Sequence, residues 1–134
     1  MLTPNELQFI KGTQLYRLAT STPTGRPHVI PMFTRMDGDN IVVGGYDFDI
    51  SYKRRLIDRN QWIACVWDTR DEAGAIKGVE IRGKAVATGK IWDGSEYFIL
   101  EPTKVFSWGI DEPASESFAK KMNFDVTHLA ERGT

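Results

Sequence analysis

The nine residues Ser51-Tyr-Lys-Arg-Arg-Leu-Ile-Asp-Arg59 carry four cations, Lys53, Arg54, Arg55 and Arg59, against one anion, Asp58. Their pattern predicts a short helix with Ser51 as N-cap and Asn60 as stop. Ser51, Arg55 and Arg59 stand at i, i+4 and i+8 and share one side of it. Lys53 and Arg54 fall in the first turn, where a cation opposes the helix macrodipole at a cost of about 0.3–1 kcal/mol each. A bound anion reverses that sign and uses the free N–H groups of the turn. The segment therefore reads either as a phosphate or carboxylate site or as a solvated surface helix that happens to be basic. Gly44-Gly45, at the end of the preceding strand, favours the site, because paired glycines there admit the close approach of a ligand or another backbone. Asp47 and Asp49 count against it unless they point away or cap the helix.

Other residue types offer less. His28 and His128 stand about a hundred residues apart with no cysteine or carboxylate at ligand spacing, so no zinc site is expected. His28 lies on a strand near Pro31, where a ligand contact and a structural role are both open; His128 is expected to be exposed in the tail. Cys65, between Ala64 and Val66, reads as a small buried hydrophobe, since nothing nearby would lower its pKa. There is no G-x-S-x-G, no Walker loop and no G-x-G-x-x-G. Trp62, Trp67 and Trp92 read as core or barrel-closing aromatics. Trp108, beside Gly109 where the chain leaves its last strand, is either a strand-end plug or a cover for a ring-shaped ligand. An anion site with flat apolar surfaces, and without an evident acid, base, nucleophile or metal, fits flavin-type hydride transfer. There the cofactor does the chemistry and the protein binds, orients and polarises.

The elements that must position these residues are short. Thr3 is a candidate N-cap, Pro4 the first helical residue, and Glu6 completes a T-x-x-E capping box, with Leu2 and Leu7 at the staple positions and Gly12 as stop. Leu7 and Ile10 are expected to face inward. Strands are predicted over 14–20, 26–36, 41–43, 61–67, 78–88 and 97–108. Turns fall at Thr22-Pro-Thr-Gly25, Asp37-Gly-Asp-Asn40 and Trp92-Asp-Gly-Ser95, a loop over 69–77, and a bulge at Gly83. Pro31 inside a strand implies a bulge or an edge. A further helix is predicted over 114–122. Six strands with two or three short helices, in a chain of 134 residues, imply one mainly β domain, a small closed or nearly closed barrel. Its parts are an N-terminal helix over 1–12, the barrel over 14–110 and a polar tail over 111–134.

Composition narrows the function. Seventeen basic and 18 acidic residues leave a net charge of −1, which argues against nucleic-acid binding. A single cysteine fits a reducing cytoplasm. The first residues lack the basic and apolar regions of a secretory signal, and no apolar run approaches the ~18 residues of a membrane span. A domain this small is expected to need a second subunit to enclose a large ligand.

The chain resembles the pyridoxamine-5′-phosphate-oxidase-like split β-barrel proteins, and among them the small PPOX-class F420-dependent enzymes. The resemblance rests on blocks in the same order: R17-L-A-T-S with T24-G-R-P-H-V-I-P-M-F33, V43-G-G-Y-D47 followed by S51-Y-K-R-R55, N60-Q-W-I-A-C-V66, K77-G-V-E-I-R-G-K-A85, and I99-L-E-P-T-K-V-F-S-W-G109. Together they cover most of 14–110. The resemblance implies a homodimer with F420, or alternatively FMN, lying across the barrel at the subunit interface. His28, Val29, Ile30, Pro31 and Met32 would run along the ring. Gly44 and Gly45 would let the ribityl chain pass, and Ser51, Lys53 and Arg55 would hold the phosphate. Trp108 would come from the partner subunit. Three features depart from the family pattern: His28 stands where Arg or Thr is usual, Gln61 replaces a proline, and a short turn at 92–95 replaces the helix that larger members place between the last strands.

Three functions remain in competition at this level. One is a reductase passing hydride to a small organic substrate, or an oxidase of the FMN type. A second is a cofactor carrier without turnover. The third, a single-strand nucleic-acid barrel, is disfavoured by the net charge.

Overall fold

The computed structural model describes residues 1–45, 48 and 51–112. The predicted helix over 114–122, His128, Asp47 and Asp49 lie outside them.

Helix α1 (Pro4–Lys11) forms as its start signals require. Thr3 Oγ1 accepts from the Glu6 N–H at 3.1 Å, and Glu6 Oε1 accepts from the Thr3 N–H at 2.9 Å. The inward pair is Glu6 and Ile10, not the expected Leu7 and Ile10. Glu6 reaches the interior because Ser107 donates a short hydrogen bond to its second carboxyl oxygen, so the buried group is satisfied at both oxygens.

Seven strands follow: β1 (Leu15–Ser21), β2 (Pro27–Phe33), β3 (Met36–Asp37), β4 (Asn40–Val43), β5 (Trp62–Arg70), β6 (Ile76–Trp92) and β7 (Ser95–Trp108). They form one antiparallel sheet in the order β2-β1-β5-β6-β7-β4-β3. The count exceeds the expected six because the predicted strand over 26–36 breaks at Thr34-Arg35, leaving β3 as a separate piece. The sheet is not closed by a ladder: β2 and β3 are its edges. They are nevertheless consecutive in the chain, so the sheet curls until two residues span the split. Thr34 pins that joint. Its N–H donates to Gln14 O at 2.8 Å, its hydroxyl to Thr13 O at 2.5 Å, and it accepts from Trp67 Nε1 at 3.0 Å. Pro31 is tolerated because β2 pairs on one side only.

The β6–β7 hairpin turns at Asp93-Gly94, both at positive φ (52° and 81°), as a two-residue hairpin loop requires. The expected bulge at Gly83 is present: the register steps from Arg82–Lys104 to Gly83–Pro102, leaving Thr103 unpaired in the ladder. Proline cannot donate to a ladder, and a side chain at Gly83 would strike the Glu101 carbonyl. The loop predicted over 69–77 is shorter than expected, since β5 runs to Arg70 and β6 begins at Ile76.

Helix α2 (Tyr52–Arg59) has Ser51 as N-cap and Asn60 as C-cap, as the residue pattern predicts, and buries Leu56 and Ile57. Inside the curl, Tyr16 stacks on Trp67 with centroids 4.7 Å apart, among Leu18, Ile63, Val79 and Ile81. Of the tryptophans expected in the core only Trp67 is fully buried; Trp62 is 51% exposed. Cys65 is buried, as its setting predicts.

Burial raises the Cys65 thiol and the Tyr16 phenol above their ordinary values of 9.0 and 10.0, with Glu80 adding to the first and Cys65 to the second. Both groups are neutral when protonated, and the folded chain keeps their protons to higher pH than the unfolded chain. Their contribution to stability is therefore complete below about 9 and is lost as pH rises beyond it. Thermal unfolding is expected to show a flat Tm up to about pH 8.5 and a steep alkaline fall, which Tyr16→Phe makes shallower. An alkaline limb equally steep in that variant would contradict the assignment.

Candidate functional site

Alternation along β2 divides the residues expected to lie along one ring. Val29 and Pro31 point to the outer face of the sheet, with Phe33; His28, Ile30 and Met32 point inward. His28 stands opposite Thr20 on β1. Its Nδ1 and Thr20 Oγ1 are buried and have no hydrogen-bond partner among the described residues, while its ring meets Tyr52 edge-on at 5.1 Å. His28 therefore sits against the first residue of α2, beside the cleft described next but not lining it.

A cleft of about 400 Å³ opens where β2, β4 and the start of α2 converge. Pro31, Met32 and Phe33 of β2, with Leu15 and Phe48, form its apolar walls; Gly44 and Gly45 form its backbone floor. Two cations enter it, Lys53 and Arg35. The Lys53 ammonium stands 5.8 Å from the Phe48 ring centroid and makes no ion pair with a described residue. Arg35 is held by its ion pair with Asp93 at the β6–β7 turn and lies 5.7 Å over the Trp92 ring. Among the described residues, the two cations and Asp93 leave a local balance of one positive charge.

The two glycines have different reasons to be glycine. A Cβ at Gly44 would lie 2.8 Å from Tyr97 Cβ, so Gly44 is required by the packing of β4 on β7. Gly45 has φ +147°, a backbone state that disfavours side chains, and a Cβ there would meet Arg35 at an ordinary 3.7 Å. Tyr97 donates from its hydroxyl to Asp37 Oδ2 at 3.0 Å. Burial and that carboxylate raise its phenol, keeping it a donor at neutral pH.

The basic helix separates into roles. Ser51 Oγ accepts from the Arg54 N–H at 3.2 Å and donates to Phe48 O at 2.7 Å, so it acts as cap and anchors the cleft wall. Arg54 turns away from the cleft: Nε donates to Asp58 at 3.1 Å, Nη2 to Glu96 at 3.2 Å, and the guanidinium stacks on Phe98 at 4.8 Å. Arg55 and Arg59 are exposed, and neither lines the cleft. Of Ser51, Lys53 and Arg55, the structure brings only Lys53 to the cleft.

A second concavity, also about 400 Å³, lies on the outer face of the sheet. Ala19, Val29, Ala64 and Val66 form its floor, with Arg17, Glu80, Arg82 and Trp108 around it. Trp108 thus lines a recess of its own protomer. Arg17 pairs across the ladder with Pro31, which lines the first cleft, so the two concavities adjoin. Their linings include exposed apolar side chains: Val29 in the second and Phe33 in the first are 66% and 59% exposed, and Leu15 in the first is 39% exposed.

Sequence reasoning missed Arg35 and Phe48. The only signal for Arg35 was a lone cation two residues beyond Phe33; Phe48 lay between two aspartates in a segment with no period. Among the described residues no cluster of His, Cys, Asp and Glu is placed to hold a metal, and no helix is long and apolar enough to cross a membrane.

No protein-family model matches the chain. A 5a,11a-dehydrotetracycline/5a,11a-dehydrooxytetracycline reductase of Streptomyces rimosus is 29% identical over 120 residues, covering 81% of this chain and 84% of the reductase. Among solved structures, a conserved hypothetical protein of Mycobacterium tuberculosis superposes with a TM-score of 0.66 at 17% identity, over 81% of this chain and 85% of that one. The heme storage protein HutZ of Vibrio cholerae gives 0.63 at 17% identity, over 81% and 96%. An FAD-binding protein of Mycobacterium smegmatis gives 0.60 at 14% identity, over 81% and 98%. The chain shares their fold, a mainly β domain with an open, curled antiparallel sheet.

Proposed function

We propose that the chain is an oxidoreductase that binds a flavin or deazaflavin, F420 in the first place and FMN as the alternative, and reduces a small organic substrate. The observation that carries this is the cleft beside Gly44-Gly45, where two cations and a floor of glycine backbone adjoin apolar walls. That donor set fits a molecule with an anionic end and a flat apolar body. Lys53 and the first-turn N–H groups of α2 that the Ser51 cap leaves free hold the phosphate, with Arg35 as the second positive wall. Met32, Pro31, Phe33 and Phe48 exclude water from the ring. The bound group supplies the hydride; the chain's residues bind, orient and set the local charge. The similarity to a reductase, and the fold shared with a protein named for FAD binding, support this reading.

The subunit contact of the homodimer falls on Phe33 and Leu15, apolar residues exposed at the sheet edge on the rim of the cofactor cleft. A carrier role is the second reading, favoured by a described cleft lining whose titratable side chains, Lys53 and Arg35, are both placed to hold an anion.

Titration of the purified full-length chain with F420, FMN and hemin tests the proposal. F420 is expected to bind in the micromolar range or tighter, and hemin weakly. Binding of neither F420 nor FMN would overturn it. Stopped-flow mixing of the reduced complex with conjugated acceptors separates enzyme from carrier: bound cofactor whose oxidation no acceptor accelerates is a carrier's behaviour.

A further inference from the structure

The outer-face concavity has a built chemistry that the cofactor cleft does not use. It exists because Ala19 and Ala64, direct partners across β1 and β5, are too small to fill the sheet face between Val29, Val66 and Trp108. Its two arginines differ. Arg82 is chelated by Glu80, with Nε at 2.8 Å and Nη2 at 3.1 Å from the carboxylate, and lies 5.0 Å over the Phe106 ring. Its charge is therefore neutralised and its plane fixed. Arg17 lines the same concavity, and its guanidinium makes no ion pair or hydrogen bond with a described residue. A recess with an apolar floor, an indole wall and one uncompensated guanidinium complements a planar conjugated body bearing one negative charge. Its volume of about 400 Å³ falls in the range of small-molecule sites. It also adjoins the first cleft through the Arg17–Pro31 pair, so a molecule seated there borders whatever lies against Pro31.

We infer that this concavity is the substrate subsite, and that the substrate is a planar, conjugated organic anion whose charged group meets Arg17 while its flat body rests on Ala19, Ala64 and Trp108. The inference rests on the oxidoreductase reading for the word substrate, and on the geometry alone for the site. Arg17 is then the residue that sets specificity for the anion, and Ala64 the one that sets the thickness admitted.

Binding of naphthoate and of its uncharged methyl ester to the cofactor-free full-length chain tests it, with calorimetry as the readout. The acid is expected to bind about tenfold tighter than the ester, the worth of one charge-assisted contact. Arg17→Gln should remove that preference and leave the ester's affinity unchanged. Ala64→Leu should abolish binding of both compounds and leave FMN and F420 titrations unaltered. Equal affinities for acid and ester in the unaltered chain, or a preference that survives Arg17→Gln, would overturn the inference. So would acid binding seen only in dilute monomer and lost in the dimer, which would give the face to a second copy. If Ala64→Leu fails to show a cooperative melt, the Arg17→Gln comparison alone decides. Naphthoate held through Arg17 by a chain that binds neither F420 nor FMN upholds the site and overturns only the cofactor reading.

Discussion

Lys53→Ala is expected to weaken F420 or FMN binding roughly tenfold to a hundredfold, the ~1.5–3 kcal/mol of a charge-assisted hydrogen bond, without lowering the stability of the free protein. The two halves of that expectation have different causes. Lys53 is the cation of α2 that reaches the cleft, because Arg54 is committed to Asp58, Glu96 and the Phe98 ring, while Arg55 and Arg59 face away. No described carboxylate balances it, so a bound phosphate gains its full attraction. In the free protein the same ammonium stands in the first turn against the positive end of the helix, a repulsion of about 0.3–1 kcal/mol. Alanine relieves that repulsion, so Tm should hold or rise slightly as affinity falls. Titration and thermal melting on one sample check both halves. Unchanged affinity would move the phosphate away from this helix turn, and a large drop in Tm would make Lys53 a structural residue.

Gly83→Ala is expected to cost more than any other small substitution in the sheet. An added Cβ would sit 2.0 Å from the Glu101 carbonyl oxygen, 2.9 Å from its carbon and 3.1 Å from Pro102 Cα. These are backbone atoms inside a ladder, so no side chain can rotate aside. Overpacking costs about 1–3 kcal/mol where side chains yield. Here the strand itself must move, and a loss of at least about 3 kcal/mol is expected, a large share of the ~5–15 kcal/mol that holds a domain together. Gly89→Ala is the control. Its φ is +70° with nothing within 4 Å of the added carbon, so it carries only the left-handed backbone cost of about 1–2 kcal/mol. Urea unfolding of both variants should rank them in that order. Equal midpoints would mean that the bulge relaxes around the methyl group.

Those contrasts mark where local chemistry stops informing. The Thr3–Glu6 box, the Ser51 cap and the Asp93-Gly94 turn were readable because each is settled by residues a few positions apart. Their energetics are local hydrogen bonds and allowed φ values. The break at Thr34-Arg35 was not, since it depends on Thr34 meeting Gln14, Thr13 and Trp67 from elsewhere in the chain. Leu7 outcompeted Glu6 as the inward residue on hydrophobicity alone; the Ser107 hydroxyl that reverses the order comes from the far end of β7.

The candidate site divides the same way. The amino-acid order by itself determined that a basic helix follows a glycine-ended strand, and that this region suits an anion. It also determined that β2 alternates, although it did not reveal that alternation separates His28, Ile30 and Met32 from Val29 and Pro31. Only the tertiary structure decided which of four cations reaches the cleft, that Arg35 joins Lys53 there, and that Arg17 stands without a described counter-charge beside Ala19 and Ala64. A helix has one inward side, but its direction is set by what the curled sheet packs against it. Charge compensation depends on carboxylates such as Asp93 and Glu96, which lie distant in the chain from Arg35 and Arg54, the cations they meet.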